Sequence, residues 1–229
     1  MEDKYRSTML LILSIILVIS SFTAFGIAQN CNEIKCGEVD TRIHDIQGAV
    51  HESSFSGYYV TGLHGIVTAN KTNGFYMQDY LSDCRNATSE GLFIFTEKQP
   101  AVKVGDCLQV SGTVYEYQQD ESLSLTEIKN PSISNESNCS TPTLPPAVII
   151  GEGGRIQPDI IVDDDNLAEF DVDYDGADFY ESLEGMRVQI NDALVLSPTE
   201  TLNEGKKDEM QLIYVLADNG KRASMRSAR

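Results

Sequence analysis

The sequence predicts an all-β protein: a small OB-like five-stranded barrel, then a second, incomplete β unit carrying an acidic loop. Three observations carry that expectation. Short segments rich in β-branched and aromatic residues recur between residues 57 and 128, each bounded by turn residues. No long helical pattern interrupts them. Gly62, Gly65 and Gly112 fall inside strand text, where a small barrel needs sharp bends. With 41% hydrophobic residues, ten Tyr and eight Phe, the chain has the material for a packed core.

In chain order, residues 1–28 read as a signal peptide. Met1–Arg6 is polar with two bases, Met9–Ala28 is an apolar run, and Gly26 and Ala28 are the small residues that a cleavage site requires. An uncleaved anchor is the alternative, since about 20 apolar residues can span a bilayer. Both place the remainder outside the cytoplasm, and the expected location is secreted or extracellular. Residues 29–42 form a polar lead-in, and from Ile43 the text is read as β. The first strand runs over 57–69 and ends at Asn70-Lys-Thr-Asn-Gly74, a turn signal. Residues 75–80, 91–96, 107–117 and 123–128 supply four more, completing a barrel over 43–130. Residues 131–146, dominated by Ser, Thr, Asn and Pro, read as a linker. The second unit, 147–229, has strand text at 147–150, 185–196 and 211–217. Between them, the segment from Glu152 to Glu184 holds twelve carboxylates against the single base Arg155.

The five cysteines, Cys31, Cys36, Cys84, Cys107 and Cys139, contain no C-x-x-C pair, and the chain has only three His. Zinc is therefore not expected. In an oxidising compartment two disulfides and one odd thiol follow; the pairing is open, with Cys84–Cys107, flanking the third strand, as the first expectation.

Several strings taken in order are similar to a known region. They are Ile43-His-Asp-Ile-Gln-Gly48, Asn73-Gly-Phe-Tyr-Met-Gln-Asp79, Val104-Gly-Asp106 and Val110-Ser-Gly-Thr-Val-Tyr-Glu116. Gly151-Glu-Gly-Gly154, Gln157-Pro-Asp-Ile-Ile161 and Asp178-Phe-Tyr-Glu-Ser-Leu-Glu-Gly-Met-Arg-Val188 continue the series. Together they resemble the OB-fold-like region ahead of the catalytic domain in large secreted bacterial and archaeal nucleases of the endonuclease/exonuclease/phosphatase superfamily. The resemblance covers about residues 43–229. It implies a non-catalytic N-terminal portion of an extracellular nuclease-like protein, serving substrate presentation or domain spacing, with the catalytic domain missing. Two alternatives stand beside it: a calcium-binding secreted interaction module unrelated to nucleic acid, and part of an active secreted endonuclease whose catalytic domain lies outside this chain.

Within these 229 residues no catalytic set is expected. His44, His51 and His64 all precede residue 65, and no Asp-His or His-x-Asn arrangement, serine elbow, P-loop or Rossmann glycine pattern occurs. The strongest local chemistry is Asp171-Val-Asp-Tyr-Asp-Gly-Ala-Asp178. Alternating carboxylates followed by Gly suit a hard cation, so Asp171, Asp173, Asp175 and Asp178 are the expected calcium ligands and calcium the one expected cofactor. An EF-hand would need Glu at loop position 12, where Ser182 stands. For a nucleic-acid partner, single-stranded or duplex DNA, the candidate residues are Tyr76, Tyr115, Tyr117 and Lys103. The formal net charge of −18, from 35 acidic and 17 basic residues, opposes it.

Overall fold

A computed structural model describes residues 41–119, 122–135, 144–158, 162–202, 205 and 210–222. The expected signal peptide lies outside the described residues, as do most of the lead-in and the middle of the expected linker. Among the described residues no helix is long and apolar enough to cross a membrane.

The fold is all-β. Five strands, β1 (Tyr59–Lys71), β2 (Gly74–Gln78), β3 (Gly91–Phe95), β4 (Cys107–Tyr117) and β5 (Leu125–Asn135), close into a barrel in the order β1-β2-β3-β5-β4. β1 is long because it serves two partners: it pairs antiparallel with β2 (Val67 opposite Met77) and with β4 (Leu63 opposite Val110). It bends between them, where a register shift at Val60–Leu63 contains Gly62 at φ +72°, a left-handed backbone that glycine adopts without a Cβ clash. β5 closes the ring, parallel to β3 (Ile94 opposite Ile128) and antiparallel to β4. Alternation then sends Leu63, Val67, Phe75, Met77, Leu92, Ile94, Val110, Val114 and Ile128 inward, into a single buried cluster.

A short helix, α1 (Ile43–Gln47), corrects the expectation that β structure begins at Ile43. Its two isoleucines, Ile43 and Ile46, stand three residues apart on one face and are fully buried in the barrel core. The Arg42 guanidinium pairs with the buried Asp79 carboxylate just past β2, which fixes the approach to the helix. A five-residue helix has too few turns for its period to be read against a strand.

The expected linker is also shorter at its start. Residues 131–135 belong to β5, where Ser132 lies opposite Ser111 and Asn135 opposite Leu108. Backbone hydrogen bonds recruit this polar text, because the long edge of β4 needs a partner whatever side chains it carries.

The second unit starts with β6 (Val148–Ile150), parallel to β7 (Val188–Ile190), joined through the acidic segment and α2 (Gly176–Glu181). That helix was not expected in the acidic block. It exists because Phe179 and, just beyond it, Leu183 and Met186 pack with Ile150 and Val188 into a second buried cluster. Burial of that face outweighs weak local propensity. Two further ribbons, β8 (Leu194–Val195) with β11 (Val215–Leu216) and β9 (Glu200–Leu202) with β10 (Met210–Leu212), complete the described part. All three of these sheets have two strands, so among the described residues the second unit builds no closed sheet comparable to the first.

The two units share a tight seam. The backbones of Gly91 and Gly185 touch so closely that a Cβ on Gly91 would lie 2.2 Å from the Gly185 carbonyl carbon. Beside them Glu184 is buried: its carboxyl accepts from Gln47 Nε2 (3.0 Å) and from the Thr126 backbone N–H (3.1 Å), and its own carbonyl accepts from Ser89 Oγ (2.6 Å). Arg187 N–H donates to Gln78 Oε1 (3.0 Å) at the end of β2.

Candidate metal centre

The acidic segment folds back on itself before it enters α2. Asn166 and Leu167 both take left-handed backbone conformations, which reverse the chain directly after Asp163-Asp164-Asp165. The reversal is held by the aspartates themselves: Asp163 Oδ1 accepts from Leu167 N–H (3.0 Å), and Asp165 accepts from the Ala168 and Glu169 N–H groups (2.9 Å each). The Ala177 N–H then donates to the Val162 carbonyl, setting this loop against the start of α2.

Asp175 occupies the N-cap position of that helix, but its side chain makes no capping hydrogen bond. The residue is only 5% exposed. One carboxylate oxygen from each of Asp163, Asp165 and Asp175 lies within 4.8 Å of the others. Oxygens bound to one calcium ion at about 2.4 Å stand at most about 5 Å apart, so the spacing fits a hard cation completed by water or carbonyl oxygen. Burial, followed by the neighbouring charges of Asp164, Asp178, Asp163 and Asp165, raises the Asp175 carboxyl above the usual range. A divalent ion would reverse that repulsion.

The structure groups a different set of carboxylates from the expected one. Of Asp171, Asp173, Asp175 and Asp178, only Asp175 joins the cluster. Asp178 is buried and committed elsewhere: its Oδ1 lies 2.6 Å from His51 Nε2, and its Oδ2 accepts the Asp171 N–H at 2.6 Å. The His51 ring also meets Phe170 edge-on at 5.0 Å between centroids, so this pair straps the acidic segment to the loop ahead of β1. Asp171 and Asp173 are exposed, linked by one bond from Asp173 N–H to Asp171 Oδ1. Alternation along 171–178 assumes a continuous loop around the ion, whereas helix α2 begins at Gly176 and turns Asp178 toward the barrel. Asp163 and Asp165 were missed because a run of three aspartates looks the same whether it faces solvent or an ion.

The nucleic-acid candidates are not brought together. Tyr115 and Tyr117 lie on the outer face of β4, 42% and 45% exposed, as alternation requires. Lys129 Nζ sits 3.1 Å from the Tyr115 ring centroid and pairs with Glu127, so this surface carries both signs of charge. Tyr76 also points away from the barrel core, but it is 1% exposed, packed at 4.9 Å on Phe93, and its strand does not adjoin β4. A base cannot stack on a ring already covered. Lys103 is exposed in the turn before β4, and ten residues of strand separate Cys107 from Tyr117. At about 3.3 Å per residue that places Lys103 roughly 30 Å from Tyr117, too far for one compact site.

Cys84 lies between β2 and β3, and Cys107 at the start of β4.

Residues 149–229 match a family model described as a domain of unknown function, DUF8508. The matched stretch takes in nearly all of the second unit, with the candidate metal centre, and leaves out the barrel. No curated protein and no solved structure matches the chain.

Proposed function

We propose that this chain is a non-catalytic front portion of an extracellular nuclease-like protein, acting as a rigid acidic spacer that sets the position of, or presents substrate to, a separate catalytic domain. The observation that carries the reading is the seam. Gly91 against Gly185, with Glu184 buried among Gln47, Ser89 and Thr126, joins barrel and second unit into one body, which is what a spacer needs. The acidic coat keeps such a body soluble and off the nucleic-acid backbone. Plasmid DNA incubated with the purified chain, magnesium and calcium is expected to stay intact. Nicking or degradation that copurifies with the chain would overturn the reading. The extracellular setting brings with it cleavage after Ala28 and the Cys84–Cys107 bridge, both read by mass mapping of the secreted protein without reduction.

A second reading, a calcium-binding interaction module, is favoured by one observation: Asp175 makes no capping hydrogen bond and brings a carboxylate oxygen within 4.8 Å of those of Asp163 and Asp165. Calcium at about 1 mM is expected to raise the melting temperature by several degrees, in keeping with the affinity range of extracellular calcium modules. Asp175→Asn abolishes the shift, while Asp173→Asn leaves it. An unchanged melting curve in the wild type, or a shift that survives Asp175→Asn, removes the site.

A further inference from the structure

We propose that the carboxyl cluster between the barrel and α2 is a proton-operated latch: with Glu181 and Glu184 protonated the second unit stays seated, and their ionisation releases it. The inference goes beyond the spacer reading and uses none of the three candidate metal ligands.

Glu184 sits in the seam with two neutral donors, Gln47 Nε2 and the Thr126 N–H. The groups facing it and Glu181 are predominantly acidic. β4 contributes Glu116, whose carboxyl already accepts from Ser53 N–H (2.8 Å), Ser124 Oγ (2.7 Å) and Thr126 Oγ1 (3.0 Å). Glu127 on β5 and Glu90 before β3 are also buried but turned elsewhere, Glu127 toward Lys129 and Glu90 toward Ser82 Oγ and the Asp83 N–H. α2 contributes Asp178.

The bases around the seam are engaged elsewhere. Lys129 pairs with Glu127, and His51 with Asp178. Arg155 donates to Ser182 Oγ and lies over the Phe179 ring. Arg187 Nη1 donates to the Pro145 carbonyl.

Two neutral donors do not replace the water that two carboxylates lose on burial. Desolvation is the largest effect on both groups. It is joined for Glu181 by the charges of Glu184, Glu116 and Asp178, and Glu181 is pushed up to about 10. For Glu184 the Gln47 and Thr126 bonds work in the opposite direction, and burial with the Glu116 charge still carries it up to about 8.

The sign follows. The seated state binds these protons more tightly than the open one, where the carboxyls meet water at ordinary values. The stabilisation is complete below the ordinary carboxylate range of about 4.3 and declines as pH rises. It is lost once pH passes the seated values of about 8 for Glu184 and about 10 for Glu181. The opening occurs here and not in the barrel, because the barrel core is apolar while the seam is held by polar contacts and one glycine pair.

Hydrogen exchange on the full chain, with calcium chelated throughout, tests the latch. After correction for intrinsic exchange, the opening constant of segment 176–188 is expected to rise roughly tenfold per pH unit for each carboxyl between about pH 6 and pH 8. Protection in β1 and β2 stays constant over the same range. In Glu181→Gln/Glu184→Gln the pH dependence of 176–188 disappears. Should that variant not fold, the carboxyl carbon resonances of the wild type provide the second readout, with two glutamates titrating above pH 7. Segment 176–188 tracking the barrel strands at every pH, or all glutamates titrating in the ordinary range, would overturn the latch. Retained nuclease inactivity would not rescue it, so the two readings fail separately.

Discussion

At the residue scale, two glycines decide whether the units can meet. Alanine at position 91 puts a methyl group 2.2 Å from the Gly185 carbonyl carbon and 2.4 Å from the Met186 nitrogen, both backbone atoms that no rotamer change can move aside. Gly91→Ala is therefore expected to lower the unfolding free energy by about 3 kcal/mol, measured by urea denaturation, through forced separation at the seam. A change within about 0.5 kcal/mol would mean that the seam is not tightly packed. Neither glycine stands out in the sequence: each reads as ordinary punctuation at the head of strand text, 91–96 and 185–196. Their partnership spans about 90 residues of chain and becomes visible only with coordinates. The same holds for Asp175, whose neighbours Asp163 and Asp165 arrive through a reversal at Asn166-Leu167 that no turn dipeptide announces.

At the element scale, legibility follows the kind of force that forms each element. Strand β4 is set by side chains that alternate between a sealed core and the outside, while β2 and β3 are buried on both faces and read as short apolar runs. Residues 107–117 show the alternation, with Leu108, Val110 and Val114 inward and Tyr115 and Tyr117 outward. Elements that depend on a neighbour were harder to read. The end of β5 is polar and exists because β4 offers an unpaired edge; α1 is a plug whose two isoleucines also fit a strand; α2 is helical because Phe179 and Leu183 have a pocket of apolar side chains to enter. In the ribbons of the second unit, Leu194, Val195 and Leu196 remain at least 40% exposed, so the expectation of one strand over 185–196 split into β7 and β8. Hydrophobic text there does not report a core.

At the scale of the whole molecule, a barrel and a weaker β unit are joined through a polar seam whose carboxyls hold protons well above the ordinary carboxylate range. The account stands on that junction, since a chain of two independent domains would be neither a spacer nor a latch. Calorimetry of the full chain at about pH 6, where the seam carboxyls are protonated, tests it most directly. The account predicts a single endotherm with equal calorimetric and van't Hoff enthalpies. Two resolved transitions at that pH, one for the barrel and an earlier one for residues 144–222, would contradict it.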